Sequence, residues 1–368
     1  MSKRREILDG IVAGAPLTGP RTVHVDVTNA CNAACITCWD HSPLLVEQRS
    51  VAWKKRRFDL ATFDQLVADL AALGSVKAMI LSGMGDPLVH PDIYSMIERV
   101  KRQGWHLTVM TNLIAADIDR LAELGVDQFL VGVHGATPVA YSAFHPGWDE
   151  REFFTLCKYL RRLGSTTSKV RHVQVINRDT APEFVDMVRF GAQFRADRVN
   201  FKLASLAGGT ETCRITDDQR RWLGDEAVPR ARELAHQLGV ATNLELFATQ
   251  LAAGEEDESA TVPIAEVGCF QGYVYTRITA SLDVLYCCNT EVKVGSLADA
   301  RFAELWRGEA WQALRDRLRR GDYFAGCERC GKFEQNVAWS KRVKDELGEA
   351  VWRDVIGAAR PNHLRVLG

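Results

Sequence analysis

The chain has 368 residues, of which 46% are hydrophobic and 25% charged, enough for a large α/β domain with a smaller attachment. Its formal net charge of −1 at pH 7 provides no bulk electrostatic attraction to nucleic acid or to a membrane surface. No apolar run has the length of a membrane span and the opening MSKRREILDG lacks the apolar stretch of a signal peptide, so we expect a cytoplasmic protein.

Short apolar runs alternate with amphipathic helical patterns through the first two-thirds of the chain. In the first such helix, Thr62 is expected as the N-cap, Gln65 as its capping-box partner and Gly74 as the stop signal. The predicted strands are 21–29, 78–83, 106–112, 128–135, 171–177 and 198–205, and the predicted helices are 62–74, 91–102, 117–125, 151–164 and 182–194. This alternation predicts six β/α units with a parallel sheet, closed or partly closed into a barrel, and functional residues at the C-terminal ends of the strands.

Three segments interrupt this alternation. Residues 39–61 are too many for an ordinary loop, and their basic run Trp53–Arg57 (WKKRR) is either a solvated surface or an anchor for phosphate or carboxylate. Residues 206–218 are rich in glycine and threonine, and the acidic stretch 251–266 is a predicted linker. The expected organisation is a tail at 1–20, a barrel at 21–250, the linker, a small domain at 267–335, and a C-terminal helix and tail at 336–368.

Ten cysteines in a reducing compartment indicate metal binding or catalysis rather than disulfides. Five of them gather in the last hundred residues: Cys269, Cys287, Cys288, Cys327 and Cys330. Cys157 lies on the apolar stripe Phe153–Phe154–Cys157–Leu160 and is expected in the core. Cys213 lies alone in the glycine-rich loop after the sixth predicted strand.

The other three cysteines, Cys31, Cys35 and Cys38, follow the first predicted strand in the stretch VTNACNAACITCWD. A 4Fe–4S cube held by three thiolates leaves one iron open, whereas zinc would need a fourth ligand from elsewhere in the chain. The C-x3-C-x2-C spacing at this position resembles that of the radical S-adenosylmethionine (SAM) superfamily. The resemblance implies a partial (β/α)6 TIM-like barrel in which the open iron chelates SAM. One electron then cleaves SAM to a 5′-deoxyadenosyl radical, which takes a hydrogen atom from the substrate.

The resemblance extends to segments that contact SAM in that family. Residues Gly83, Gly85, Asp86 and Pro87 resemble its Gly-Gly-Glu-Pro segment, whose backbone binds the SAM amino group, with aspartate in place of glutamate. The strand-end residues Asn112 and Asn177 resemble polar residues that touch the methionyl or ribose groups; otherwise they are turn formers. Thr37 and Trp39 flank the last cysteine and are expected near the adenine.

The fourth predicted strand continues into VGVHGATPVAYSAFHPG, which resembles the family pattern SLDGATPETYERIRG. Gly132 replaces the serine, His134 the aspartate and His145 the arginine of that pattern. The serine and arginine positions usually contact SAM, which makes His145 a candidate SAM ligand. His134 is a candidate acid–base or substrate residue, or else a structural histidine.

Residues 268–297 look like a β-hairpin, after which come a helical stretch and the pair Cys327 and Cys330. This order resembles the twitch domain, a shortened SPASM domain that binds one auxiliary 4Fe–4S cluster through four cysteines. The resemblance implies the ligands Cys269, Cys287, Cys327 and Cys330, with Cys288 as competitor of Cys287 and Leu282 where the family has glycine. A four-cysteine zinc site is the alternative.

Several reactions are compatible with these features. A dehydrogenase would oxidise a hydroxyl- or amine-bearing carbon of a small natural-product intermediate, such as a sugar, cyclitol or aminoglycoside, with the auxiliary cluster as electron acceptor. An epimerase would use Cys213 as hydrogen donor, a maturase would modify a peptide, and a non-catalytic iron–sulfur or zinc scaffold is a remote alternative. Because only about 20 residues precede the first predicted strand, we expect no leader-binding domain there, which favours a small molecule unless a separate protein supplies leader binding. We expect flavodoxin or ferredoxin as reductant, and neither nucleic acid nor membrane as partner.

Overall fold

The computed structural model describes residues 3–253, 263–327 and 330–357. The chain forms two compact units. The first unit comprises Met1–Val25, Phe58–Ile80 and Ser259–Gly368, and the second comprises Asp26–Arg57 and Leu81–Glu258. The predicted linker at 251–266 includes residues 254–262, which lie outside the described residues, as do residues 358–368 of the predicted C-terminal tail.

All six predicted strands form, and four further strands follow them in the described part of the chain. The strands are β1 Thr22–Thr28, β2 Ala78–Gly83, β3 His106–Thr111, β4 Gln128–Gly132, β5 Lys169–Ile176, β6 Arg198–Leu203, β7 Ala241–Thr242, β8 Tyr275–Ile278, β9 Asp283–Leu285 and β10 Lys293–Ser296.

Helices separate these strands. The α-helices are α1 Lys3–Ala13, α2 Val51–Lys54, α3 Leu60–Leu73, α4 Ile93–Arg102, α5 Ile118–Glu123, α6 Pro138–Phe144, α7 Glu150–Leu163, α8 Phe184–Gln193, α9 Asp217–Trp222, α10 Val228–Leu238, α11 Leu244–Ala253, α12 Ile264–Val267, α13 Gln271–Val274, α14 Phe302–Arg307, α15 Glu309–Arg319, α16 Phe333–Leu347 and α17 Glu349–Val355. Short 3₁₀ turns lie at Pro87–Val89, Ala181–Glu183 and Thr210–Cys213, and a π turn at Leu223–Ala227 precedes α10.

In the second unit, β3, β4, β5, β6 and β7 pair in that order, and every pair is parallel. Alternate residues of β6 face a core built with α8, α10 and α11. In this core the ring centroid of Phe184 lies 4.4 Å from that of Phe201 and 5.0 Å from that of Phe247. Because side chains alternate along a strand, Asn200 and Lys202 lie on the opposite face. This parallel α/β architecture, with an open sheet ending at β7, confirms the expected fold class.

In the first unit, β8, β9 and β10 form an antiparallel meander, and β8 pairs in parallel with the start of β1. The expected hairpin therefore has a third strand. Leu282, at its turn, has a φ of 67°, in the left-handed region that favours glycine. The segment predicted as an N-terminal tail contains helix α1, whose Ile7, Leu8 and Ile11 pack into the core of this unit.

Two local predictions are wrong. Helix α3 begins after Asp59, whose carboxylate accepts the Thr62 amide at 2.9 Å, so Asp59 and not Thr62 is the N-cap. Phe58 and Phe63 pack edge to face with centroids 6.1 Å apart, as in a hydrophobic staple, which sets this earlier start. Phe154, predicted on the buried stripe of α7, is 57% exposed, whereas Cys157 is buried as expected.

Candidate functional site

The three front cysteines lie in a loop that follows the C-terminal end of β1. The amide of Ala33 donates to Cys31 Sγ at 3.4 Å, and the amide of Asp40 donates to Cys38 Sγ at 3.5 Å. Hydrogen bonds to sulfur favour the thiolate, the form that ligates metals. The loop backbone thus already offers the donors that a thiolate cluster site needs.

Backbone contacts fix the centre of this loop. The Ile36 amide donates to the carbonyl of Phe144 at 3.0 Å, and the hydroxyl of Ser42 donates to the Ile36 carbonyl at 2.7 Å. Ile36 also packs with Phe144 and Cys213 in a small buried cluster. Cys35, the neighbour of Ile36 in the chain, packs against this cluster.

The three front thiols are buried close to one another. Burial raises the pKa of Cys31 to about 12 and also raises the pKa values of Cys35 and Cys38. The negative charges of Cys38 and Cys31 raise the pKa of Cys35 further, which shows that the thiols are close enough to interact. Among the described residues, no three His, Cys, Asp or Glu side chains converge on one metal ion. Thiolates that hold a 4Fe–4S cube each bind a different iron, so they need not converge on one point.

The segment Gly83–Pro87 packs directly against the first residues of this loop. A Cβ at Gly85 would lie 1.8 Å from the carbonyl oxygen of Ala30, and one at Gly83 would lie 2.3 Å from that of Thr28. The Asp86 amide donates to the Ala30 carbonyl at 2.9 Å. Only glycine allows this close backbone approach, so both glycines position the cysteine loop.

Asp86 is buried, and donors of this chain surround its carboxylate. It accepts from the Asn112 amide at 2.6 Å, the Leu88 amide at 2.9 Å and the Thr111 hydroxyl at 2.8 Å. Burial raises its pKa, which these hydrogen bonds partly oppose. The carboxylate thus joins the end of β2 to the end of β3 and caps the 3₁₀ turn that begins at Pro87. It has little capacity left for a ligand.

The two strand-end asparagines differ in their surroundings. Asn112 Nδ2 donates to Oδ1 of Asn32 at 2.8 Å, which ties β3 to the residue after Cys31. Asn177 is fully buried; its Oδ1 accepts from the amides of Asp179 and Thr180, and its Nδ2 has no hydrogen-bond partner among the described residues. Asn177 Nδ2 is therefore available to a ligand.

The residues expected near the adenine are at least partly accessible. Thr37 is half-buried, and Trp39 is 59% exposed, with its indole N–H donating to the Ser205 carbonyl at 2.7 Å. Ser205 lies just beyond β6. The indole thereby links the cysteine loop to the end of that strand.

Strand β4 ends at Gly132, three residues earlier than predicted, and His134 then adopts a φ of 53°. Nδ1 of His134 accepts the Val175 amide at 3.2 Å, and its ring stacks on Phe144 with centroids 4.4 Å apart. Burial and the neighbouring His145 hold the pKa of His134 well below its usual range. At neutral pH its imidazole is therefore neutral.

His145 is fully buried and stacks on Trp148, with centroids 4.7 Å apart. Nδ1 of His145 lies 2.8 Å from the Tyr141 carbonyl oxygen, to which it donates, and Nε2 has no partner among the described residues. Burial lowers its pKa to about 4. His145 thus presents an unpaired acceptor.

Cys213 lies at the end of the 3₁₀ turn after β6 and is only 3% exposed. Its Sγ lies 3.9 Å from the carbonyl oxygen of Ile36, beside the cysteine loop, and burial raises its pKa. The structure brings this thiol next to the front cysteines, as a protonated group.

The basic insert folds back on the end of β1 through its main chain. The Arg56 carbonyl accepts the Asn29 amide at 3.0 Å, and the Trp53 carbonyl accepts Asn29 Nδ2 at 3.2 Å. Arg49 pairs with Asp40 at 2.8 Å and lies 5.1 Å from the centroid of the Trp53 ring. The insert therefore supports the cysteine loop from outside.

The cysteines of the second group lie in the first unit, close enough to interact with one another. Cys269 interacts electrostatically with Cys327 and Cys288, and Cys288 interacts with Cys287 and Cys330. Burial raises the pKa of Cys269 to about 12, and the interactions with Cys287 and Cys330 lower the pKa of Cys288. The four expected ligands and Cys288 thus share one site, which fits a four-thiolate cluster and leaves one thiol over.

Two residues of this second site have no counterpart in the sequence interpretation. Asn336, fully buried in α16, donates from Nδ2 to Cys330 Sγ at 3.7 Å and accepts the Phe270 amide at 2.9 Å. Lys332 places Nζ 4.5 Å from the centroid of the Tyr275 ring, and Cys288 and Cys330 interact with its charge. The sequence signal that could have found them is their position, since both follow Cys330 within six residues.

Sequence comparisons match both cysteine regions to known families. A sequence model of the Radical SAM superfamily matches residues 25–191, and a model of SPASM, an iron–sulfur cluster-binding domain, matches residues 269–331. A curated protein of Pyrococcus furiosus, the tungsten-containing aldehyde ferredoxin oxidoreductase cofactor-modifying protein, is 23% identical over 177 residues. That alignment covers 46% of this chain and 47% of the relative, so the chain spans about half the length of that relative.

Solved structures are similar over most of the chain. SuiB of Streptococcus suis bound to S-adenosylmethionine has a TM-score of 0.59 at 15% identity, covering 90% of this chain and 75% of SuiB. SuiB bound to the precursor peptide SuiA has a TM-score of 0.61 at 15% identity, covering 90% of this chain and 74% of SuiB. The protein anSMEcpe with bound AdoMet, which is SAM, has a TM-score of 0.59 at 13% identity, covering 94% of both chains.

In the described residues, no helix is both long and apolar enough to cross a membrane.

Proposed function

We propose a reaction for this chain from one premise: the chain belongs to the radical SAM superfamily and carries a C-terminal SPASM iron–sulfur domain. Its cofactors are SAM, a SAM-binding 4Fe–4S cluster and an auxiliary 4Fe–4S cluster. The proposed reaction is the dehydrogenation of a hydroxyl- or amine-bearing carbon of a small natural-product intermediate. The observation that carries it is the proximity of Cys269, Cys287, Cys327 and Cys330, since four thiolates would occupy every iron of a 4Fe–4S cluster.

When bound, these groups supply one electron that splits SAM into methionine and a hydrogen-abstracting radical, and an acceptor for the electron that the substrate radical releases with a proton. The SAM-binding cluster is assigned to Cys31, Cys35 and Cys38. For SAM itself we assign the backbone of Gly83, Gly85, Asp86 and Pro87, together with Thr37, Trp39, Asn112, His145 and Asn177. The unpaired Asn177 Nδ2 and His145 Nε2 support the last two assignments, because buried polar atoms normally have partners.

His134 is assigned to the substrate side of the site. Because its Nδ1 accepts a backbone hydrogen bond, the proton of the neutral ring lies on Nε2. A neutral imidazole with Nε2–H can donate to a substrate hydroxyl or amine, but it cannot accept a proton at that atom. This tautomer makes His134 a binding and orienting residue rather than the general base.

Lys202 is a second candidate for substrate binding. Its side chain is exposed on the face of β6 opposite the helix core, in register with Val175, which packs against the cluster of Ile36, Phe144 and Cys213. A cation in this position favours a substrate with a carboxylate or phosphate group. For the reductant we propose flavodoxin or ferredoxin.

Peptide modification is the second candidate function. SuiB, which is similar over 90% of this chain, has been solved with a precursor peptide bound. In this reading the exposed strand face that includes Lys202 receives a peptide side chain rather than a free metabolite. Epimerisation, with Cys213 as hydrogen donor, is a further variant, supported by the proximity of its thiol to the cysteine loop.

The test is anaerobic incubation of the reconstituted protein with SAM and dithionite, with and without candidate substrates. We expect 5′-deoxyadenosine in the unaltered protein and none in a variant with Cys31, Cys35 and Cys38 all changed to alanine. A dehydrogenase should form one oxidised product per 5′-deoxyadenosine above the uncoupled background. If the protein with intact clusters forms no 5′-deoxyadenosine, it is a scaffold and the proposal is wrong.

A further inference from the structure

Two buried tyrosines line the second cysteine site without using their hydroxyl groups. Tyr286 and Tyr323 are each only 1% exposed, and neither hydroxyl has a hydrogen-bond partner among the described residues. A buried hydroxyl without a partner is unfavourable, and native structures normally supply one. A partner of these two groups is therefore expected inside the site.

Both hydroxyl groups lie near the proposed cluster ligands. Tyr286, which precedes Cys287 in the chain, interacts electrostatically with Cys269 and Cys287, and Tyr323 interacts with Cys269 and Cys327. A tyrosine hydroxyl has an ordinary pKa of about 10, so it is protonated at neutral pH and can donate a hydrogen bond. Cys269 is the ligand that the two tyrosines share.

The Tyr286 hydroxyl is held in position by the packing of neighbouring residues. A Cβ at position 272 would lie 2.1 Å from this oxygen, so the absence of a side chain at Gly272 makes room for it. The Tyr286 ring also packs on Trp311, with centroids 5.9 Å apart. The hydroxyl is thus held by its surroundings, although no polar atom of the described chain pairs with it.

We propose that the hydroxyl groups of Tyr286 and Tyr323 donate hydrogen bonds to sulfur atoms of the auxiliary cluster and raise its reduction potential. The inference rests on the proposed assignment of Cys269, Cys287, Cys327 and Cys330 as its ligands. Reduction adds negative charge to the cluster, and hydrogen bonds to sulfur stabilise the more negative state. A higher potential suits a cluster that receives an electron from a substrate radical.

The experiment measures the midpoint potential of the auxiliary cluster by redox titration followed by electron paramagnetic resonance (EPR). Cys31, Cys35 and Cys38 are changed to alanine in every protein, so that only the auxiliary signal remains. Tyr286→Phe and Tyr323→Phe are compared with Tyr94→Phe, a matched control whose hydroxyl accepts the Asp117 amide at 2.7 Å. We expect each of the first two changes to disfavour reduction about tenfold, which lowers a one-electron midpoint potential by about 59 mV. The control should not shift it.

Iron and sulfide content separates the outcomes. An unchanged potential with about four irons per chain in Tyr286→Phe and Tyr323→Phe overturns the inference. If the two variants lose the cluster, electron–nuclear double resonance is measured on the protein that keeps both tyrosines. An exchangeable proton strongly coupled to the reduced cluster supports the inference. The absence of such a proton overturns it. If no cluster forms while both tyrosines are present, the ligand assignment itself fails, and the inference fails with it.

Discussion

Gly132 lies directly beneath the imidazole of His134: a Cβ at position 132 would be 2.7 Å from His134 Nε2. The family pattern resembled by this segment has serine and aspartate at these two positions. A serine at 132 would collide with the histidine ring in this structure, so we expect the two replacements to depend on each other. The unusual glycine and the unusual histidine form one feature of this chain.

Gly132→Ala should therefore displace His134 from its hydrogen bond with Val175. We expect a loss of about 1–3 kcal/mol in the free energy of unfolding, typical of overpacking, and slower substrate oxidation with unchanged iron content. Gly224→Ala is the control, since its Cβ would meet only Leu251, at 3.8 Å. In a His134→Ala background the Gly132→Ala change should cost much less; an equal cost in both backgrounds would contradict the steric link.

Asp86→Ala should loosen the cysteine loop. It removes the acceptor of three hydrogen bonds from Leu88, Thr111 and Asn112, and each buried donor left unpaired costs about 1–3 kcal/mol. We expect a lower unfolding midpoint and less iron at the front site, measured by EPR in a variant without the auxiliary cysteines. Asp92→Ala is the control, because Asp92 caps α4 without a side-chain hydrogen bond. Full iron loading and stability in Asp86→Ala would exclude this role.

The Cys213→Ala variant distinguishes a dehydrogenase, whose product is oxidised, from an epimerase, whose product has the oxidation state of the substrate. A dehydrogenase should keep forming oxidised product, because its substrate radical gives up an electron and needs no hydrogen donor. An epimerase should instead stop at an unquenched radical or form an aberrant product. Mass spectrometry with deuterated solvent distinguishes them, since only an epimerase transfers a solvent-derived hydrogen from the thiol. Solvent deuterium in the product of the unaltered protein would contradict the dehydrogenase.

His172 should make the protein sensitive to acid. It is fully buried in β5, both ring nitrogens lack partners in the described chain, and burial lowers its pKa to about 3. The unfolded chain, with a histidine pKa of about 6.5, then binds the proton more readily than the folded chain. Stability is therefore complete above pH 6.5 and falls as the pH decreases towards 3, by about 2 kcal/mol from this residue between pH 7 and 5.

His172→Phe should reduce that loss, measured as the difference between urea unfolding midpoints at pH 7 and pH 5. His145, buried with a pKa of about 4, should keep part of the pH dependence. The exposed His236 provides a control, as His236→Gln. An unchanged difference in His172→Phe would mean that the histidine finds a partner that stabilises its charged form.

The sequence predicted the strands well because their β-branched alternation is a local signal. It predicted the start of α3 wrongly because Asp59 and Thr62 are both good N-caps, and the choice depends on how Phe58 packs. The positive φ of Leu282 agrees with its alignment to a family glycine, an expectation that the residue type alone opposes. Asn336 was missed because its contact with Cys330 depends on how α16 packs, and no local pattern encodes that.

The approach of Gly83 and Gly85 to the Thr28–Ala30 backbone has a consequence for how iron reaches the front site. In zinc fingers the metal folds the peptide, and chelation unfolds it. Here glycine contacts, Asp86 and the Asn32–Asn112 amide pair hold the loop by ordinary protein chemistry. These contacts do not depend on a metal, so we expect the cysteine loop to keep its conformation before the cluster is inserted.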